Sequence, residues 1–125
     1  MNDPIQMLEL VDERWDALIN GKKLDTIRFE EMHIEPGFMI YRNCSNLETH
    51  CIVHVAKVMD IPLRDVLKYT RDRDRKPNET ALLERMKVHY PVIELDTRIQ
   101  YIQHLSPSET LSVFPDEVKE IERLL

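Results

Sequence analysis

Glycine is almost missing: Gly21 and Gly37 are the only two in 125 residues. Phosphate cradles of the GxGxxG or Walker type need several glycines so that backbone amides can approach the phosphates, and those classes are excluded. Cysteine is nearly as scarce. Cys44 and Cys51 are too few for a disulfide framework, and although their spacing would permit a hairpin bridge, an intracellular thiol pair is the expectation. Aromatic residues make up 6% of the chain. They are scattered, which leaves no continuous stacking platform for single-stranded nucleic acid. No apolar run approaches ~18 residues, so no membrane span is expected. The first residues include Asp3 and Pro4 and carry no basic run ahead of an apolar one, so no leader is expected and the location is read as cytoplasmic.

The motifs that usually announce chemistry are missing too: there is no GxSxG, CxxC or HExxH. His50 and His54 share a strand face, but zinc needs three or four ligands at paired spacings. No metal or cofactor is expected. Cys51 adjoins His50 in sequence, yet neighbours on a strand point to opposite faces, which argues against a thiol nucleophile with that base.

What is present is charge. The net charge of -6 argues against a protein that grips long nucleic acid electrostatically, because counterion release needs a broad basic surface. It leaves room for a local basic pocket that holds a few nucleotides or one nucleoside.

Taken in order, Ile5 to Val11 is apolar, and its period does not separate strand from helix start. Asp12 is the expected N-cap of a two-turn helix carrying Val11, Trp15, Leu18 and Ile19 on one face, with Gly21 ending it in a left-handed conformation. Leu24 to Phe29 alternates as a strand, so Thr26 and Arg28 point together and Asp25, Ile27 and Phe29 point the other way. Pro36-Gly37 is a turn, Phe38 to Arg42 a short strand, residues 43–46 another turn, and Thr49 to Val58 the longest and central strand. Asp60-Ile61-Pro62 reads as the start of a helix bearing Leu63, Val66, Leu67 and Thr70.

Arg71 to Lys76 alternates in sign. It reads first as a solvated loop whose charges pair with each other, and second as a mobile rim over a pocket that brings Asp72 and Asp74 into acid/base range. Asn78 caps a helix with Leu82, Leu83, Met86 and Tyr90. Thr97 to Leu105 is a closing strand, Ser106 to Ser108 a connection, and Pro115 opens a terminal amphipathic helix.

The stretch from Asn20 to Arg28 concentrates cations at a helix-to-strand junction. Fixed cations beside a tight turn suit a phosphate, a base edge or an oxyanion, against the plainer reading of a Gly-terminated helix with solvated lysines. Gly21, Lys23, Thr26 and Arg28, followed by Pro36-Gly37, resemble the ASCH domain family, small curled β-barrels related to the PUA fold. The likeness covers roughly residues 5 to 105. It implies an α+β fold, a small curled antiparallel barrel with flanking helices. The division expected is an ASCH-like domain over 1–105 and a C-terminal helical extension over 106–125.

The resemblance also implies a pocket lined by Lys22, Lys23, Thr26 and Arg28 that binds RNA or a modified nucleoside or nucleotide. The Lys-x-x-Thr-x-Arg run is similar to that of a bacterial branch that hydrolyses N4-acetylcytidine with a lysine, a threonine and a glutamate. Lys23 and Thr26 match the first two. Asp74 falls at the third, one methylene shorter, and Asp72 is an alternative. Three functions are therefore carried forward: a module binding RNA or a nucleoside, an amidohydrolase using Lys23, Thr26 and Asp74, and an interaction domain that pairs, as a homodimer or with a partner, through the terminal helix.

Overall fold

The computed structural model describes residues 5–72 and 75–125. Its centre is one five-stranded sheet in the order β1-β3-β4-β5-β2, with β1 Gln6–Leu10, β2 Asp25–Arg28, β3 Gly37–Asn43, β4 Asn46–Pro62 and β5 Arg98–His104. Three ladders are antiparallel, and β1 lies parallel to β3. The parallel pair departs from the expected all-antiparallel sheet. Its cause is connectivity: a helix, β2 and a loop intervene between β1 and β3, so the chain crosses over instead of turning back as a hairpin. The fold is mixed α+β, and its sheet is curled into a half-barrel. Residues of both edge strands, β1 and β2, line one cavity, while no ladder joins these two edges among the described residues.

The long strand β4 is central, as its run of β-branched residues predicts. It continues past the expected end at Val58 to Pro62, which places Leu63 to Asp65 in a 3-10 turn and leaves a single helical turn, α2, at Val66–Tyr69. Side-chain alternation sorts the sheet into two faces. Met39, Tyr41, Val53 and Val55 bury inside the curl with Leu8, Leu10 and Leu18. Ile40 and Ile52 point outward.

The helix α1, Asp12–Ile19, begins one residue earlier than predicted: Val11 is its N-cap, and Asp12 occupies the first turn, where its charge favours the helix dipole. Gly21 follows with φ +75. A Cβ there would sit 3.7 Å from Ser106 Cβ, an ordinary contact, so the cost of a side chain is conformational. Gly21→Ala should therefore destabilise the fold by about 1 kcal/mol; a chemical-denaturation midpoint unchanged from wild type would remove the need for the left-handed turn.

Asn78 caps α3, Glu79–His89, accepting from the Ala81 amide at 2.7 Å. That helix covers the other side of β2 and β5, where Ile27, Ile99 and Tyr101 meet Leu82, Met86 and Ile93. Residues 106–108, expected to be a connection, instead start α4, Pro107–Val113. Ser106 and Glu109 form a reciprocal capping box whose signal, Ser-x-x-Glu, was legible in the sequence. The terminal helix α5, Pro115–Leu124, buries Val118 and Ile121 on Ile40 and Ile52 of the outer sheet face. Its predicted apolar edge is thus spent largely within its own chain, with Leu124 and Leu125 left exposed.

His50 contacts Glu122 of α5 at 3.1 Å, and the His54 ring stacks on Phe114 with centroids 4.4 Å apart. Both histidines thereby have packing roles. Cys44 and Cys51 are free thiols, which excludes the hairpin bridge, and burial pushes the Cys51 thiol up to about 12. No helix among the described residues is long and apolar enough to cross a membrane.

Candidate functional site

The unpaired seam between β1 and β2 holds a cavity of about 320 Å³. The end of β1 supplies Glu9, Leu10 and Val11. The strand β2 supplies Thr26, Ile27 and Arg28, with Lys23 just before it. Helix α1 contributes Arg14, the segment after α2 contributes Asp72 and Arg75, and α3 closes the far side with Arg85, Met86, His89 and Tyr90. Three of the expected ligand residues, Lys23, Thr26 and Arg28, therefore share one cavity. Lys22 does not. It is exposed and takes no part in the wall, because the turn at Gly21 sends successive side chains in opposite directions. Asp74 lies outside the described residues.

The pairing of Thr26 with Arg28 follows from strand period two. Arg28 Nε donates to Thr26 Oγ1 at 3.1 Å, and Arg28 Nη1 donates to Glu31 Oε1 at 3.3 Å. Glu31 also accepts from the Tyr90 hydroxyl, so the rim of the cavity is tied across from the loop after β2 to the end of α3. Thr26 is 3% exposed, and the Tyr41 phenol lies close to it. The Tyr41 hydroxyl in turn lies 2.8 Å from His104 Nε2, and His104 Nδ1 lies 2.8 Å from the Leu105 carbonyl. A carbonyl only accepts, so Nδ1 carries the proton and Nε2 accepts from Tyr41. Burial, offset in part by that bond to Leu105, lowers His104 to about 4, and the ring is neutral at physiological pH.

Lys23 is 4% exposed, and its Nζ donates to the Asp25 carbonyl oxygen at 2.7 Å. Its pKa is lowered from 10.5 to about 7, chiefly by burial and next by the Arg75 charge, against the opposing pull of Asp25 and Asp72. The cation that adds most to this desolvation is Arg75.

Asp25 was missed. Its side chain is fully buried and accepts from the Tyr101 hydroxyl at 2.5 Å, Thr70 Oγ1 at 3.1 Å, the Arg71 amide at 2.8 Å and Arg75 Nη1 at 2.7 Å. Burial alone would raise this carboxyl. Arg75 and the donated bonds outweigh it and hold the group below the usual carboxylate range. A signal existed in the sequence: Asp25 alternates with Ile27 on the face that must bury, and a buried carboxylate demands several donors.

Three of those donors come from Thr70, Arg71 and Arg75, and for Asp72 and Arg75 this corrects the solvated-loop reading of the Arg71 to Lys76 run. Asp72 is 4% exposed and pairs with Arg14 at 2.5 Å, and the Arg75 side chain is 7% exposed. Two charges of that run, Asp72 and Arg75, fold inward to the cavity wall, because Asp25 offers a buried anion that draws donors to it. Asp72, the alternative acid, thus stands in the site, but as the partner of an arginine.

No protein-family model matches the chain, and no curated protein does. Among solved structures, the chain is similar to an ASCH domain from Lactobacillus crispatus JV V101, with 14% sequence identity, 73% of this chain and 67% of that one covered, and a TM-score of 0.50. The shared feature at that identity is the fold: the α+β half-barrel of this chain is ASCH-like.

Proposed function

We propose that the seam cavity binds a single nucleoside unit, free or at an accessible position of an RNA, rather than a length of nucleic acid. The observation that carries this reading is the convergence of Lys23, Thr26 and Arg28 on one cavity of about 320 Å³. Donors on that wall suit the carbonyl and ring acceptors of a base edge, and His89 and Tyr90 at the opposite wall offer ring faces for it to stack on. The net charge of -6 fits a small ligand better than a strand. The ASCH-like fold and the Lys-x-x-Thr-x-Arg run agree with this ligand class.

Hydrolysis of an exocyclic amide, as in N4-acetylcytidine, is the second reading, and Lys23 favours it. A lysine near 7 is poised to take a proton at neutral pH. In that scheme neutral Lys23 Nζ accepts the Thr26 hydroxyl proton while Thr26 Oγ1 attacks the acyl carbon. Arg28 stabilises the oxyanion. Lys23 then returns the proton to the departing base nitrogen, and water releases the acyl group from Thr26. Asp72, held by Arg14, serves in this scheme to position cations rather than to accept protons.

Calorimetric titration with cytidine and N4-acetylcytidine, followed by chromatography of the mixture for free acetate, tests both. Binding that is weakened about tenfold or more by Arg28→Ala is expected, since a hydrogen bond to a charged group contributes roughly 1.5–3 kcal/mol. Acetate release abolished by Thr26→Ala would add the reaction. Binding with no acetate leaves the first reading and removes the second; no binding of either compound sinks both.

A further inference from the structure

Arg75 brings an unmet buried donor to the cavity wall. Its Nη1 is engaged twice, donating to Asp25 Oδ1 at 2.7 Å and to Thr70 Oγ1 at 2.6 Å. Its Nη2 reaches no closer than 3.8 Å to Asp72 Oδ2. Its Nε is buried with no hydrogen-bond partner, alone in this among the buried side-chain polar atoms of the described residues. Folded chains seldom leave a charged N–H buried and unmet, and such a group calls for an acceptor that arrives from outside the chain.

The Nε–Nη2 edge is the side of a guanidinium that matches two oxygens of one phosphate. Lys23 stands in the same wall, close enough that the Arg75 charge acts on it. Two cations that repel each other across a dry wall are stabilised by an anion between them. Among the described residues, Asp25 and Asp72 already act on these cations, but neither meets Arg75 Nε. Asp25 is saturated by four donors, and Asp72 is drawn to Arg14 at 2.5 Å.

We propose that Arg75 and Lys23 form a phosphate subsite in the seam cavity, so that its ligand is a nucleotide and not the bare nucleoside. This rests on the nucleoside reading above and sharpens it. The phosphate would meet the Nε–Nη2 edge of Arg75 and the Lys23 ammonium, while the base lies toward Thr26, Arg28 and the rings of α3.

The test is a calorimetric titration of the full chain with cytidine, cytidine 5′-monophosphate and inorganic phosphate, each alone. The nucleotide should bind at least about tenfold more tightly than the nucleoside, as expected for a charge-assisted bidentate contact, and inorganic phosphate should compete with it weakly. Arg75→Lys keeps a cation beside Asp25 but removes the edge, and it should erase the preference. Its melting temperature, measured alongside, reports whether the fold is kept, and the wild-type comparison decides the question even if it is not. Equal affinity for nucleoside and nucleotide overturns the subsite and leaves the nucleoside reading standing. Inorganic phosphate binding as tightly as the nucleotide supports the subsite and overturns the nucleoside reading. No binding of any of the three overturns both.

Discussion

Lys23→Met will stabilise the protein by on the order of 4–5 kcal/mol at pH 7 and below, and the gain will fade to nothing above about pH 10.5. The magnitude comes from a lysine lowered from 10.5 to about 7 on folding, at 1.36 kcal/mol for each tenfold change in proton affinity. The sign follows from proton counting. Below pH 7 the lysine is protonated in both folded and unfolded chains, so folding must bury the charge and its full cost is present. Between pH 7 and 10.5 the unfolded chain binds the proton and the folded one does not, so wild-type stability rises with pH. Above 10.5 neither state is charged and the cost is gone. Methionine has similar length and no charge, and its only debit is the Asp25 carbonyl that Lys23 Nζ now satisfies. Urea denaturation of both proteins at pH 6, 8 and 10 measures the difference. A variant less stable than wild type at pH 6 would mean that Lys23 reaches water and is not a buried lysine at all. A stable variant that no longer binds its ligand would identify Lys23 as a group kept at a cost to stability because the site needs it.

Asp25→Asn is expected to cost about 3–5 kcal/mol, the range for removing one partner of a buried ion pair. The change keeps the shape but removes the charge that compensates Arg75. It also places an amide NH2 where several donors converge. The consequence extends beyond stability. Asp25 is what draws Thr70, Arg71 and Arg75 onto the sheet, and Asp72 and Arg75 thereby line the cavity. Loss of ligand binding should therefore accompany the loss of stability, even though Asp25 is not itself in the cavity wall. The wild-type contribution is present at pH values above the ordinary carboxylate range. It is lost as the pH falls through the folded-state value, which lies below that range. Denaturant midpoints at pH 7 check the claim, and a shift worth less than about 1 kcal/mol would put the ion pair on a par with an exposed one.

Much of the candidate site was legible because its parts lie within one short stretch. Gly21 adopts the left-handed turn that the helix end demanded, and strand alternation alone placed Thr26 and Arg28 side by side. Lys22, Asp72 and Arg75 were misjudged for one reason. Whether a charged side chain goes outward or inward depends on what waits for it across the fold, and the buried carboxylate that draws Arg75 inward sits 50 positions away in sequence. The helix at Ser106 was missed by a different route. Its capping box was present in the sequence, but the box precedes only a seven-residue helix of weak apolar period, and the tie from the His54 amide to Thr110 is what seats it.

The sequence by itself determined the local pieces: a helix stopped by glycine, a strand whose alternate residues are a hydroxyl and a guanidinium, a long β-branched centre, and an asparagine-capped helix. These depend on torsion preferences and on periods of 2 and 3.6, which act between near neighbours. Only the tertiary structure decided that the sheet curls without joining β1 to β2, that the gap becomes a cavity, and that Lys23 is stripped of water while Asp25 gathers four donors. Desolvation and ion pairing are set by everything that packs around a group, and those neighbours come from five separate stretches of chain that meet only when the whole domain has folded.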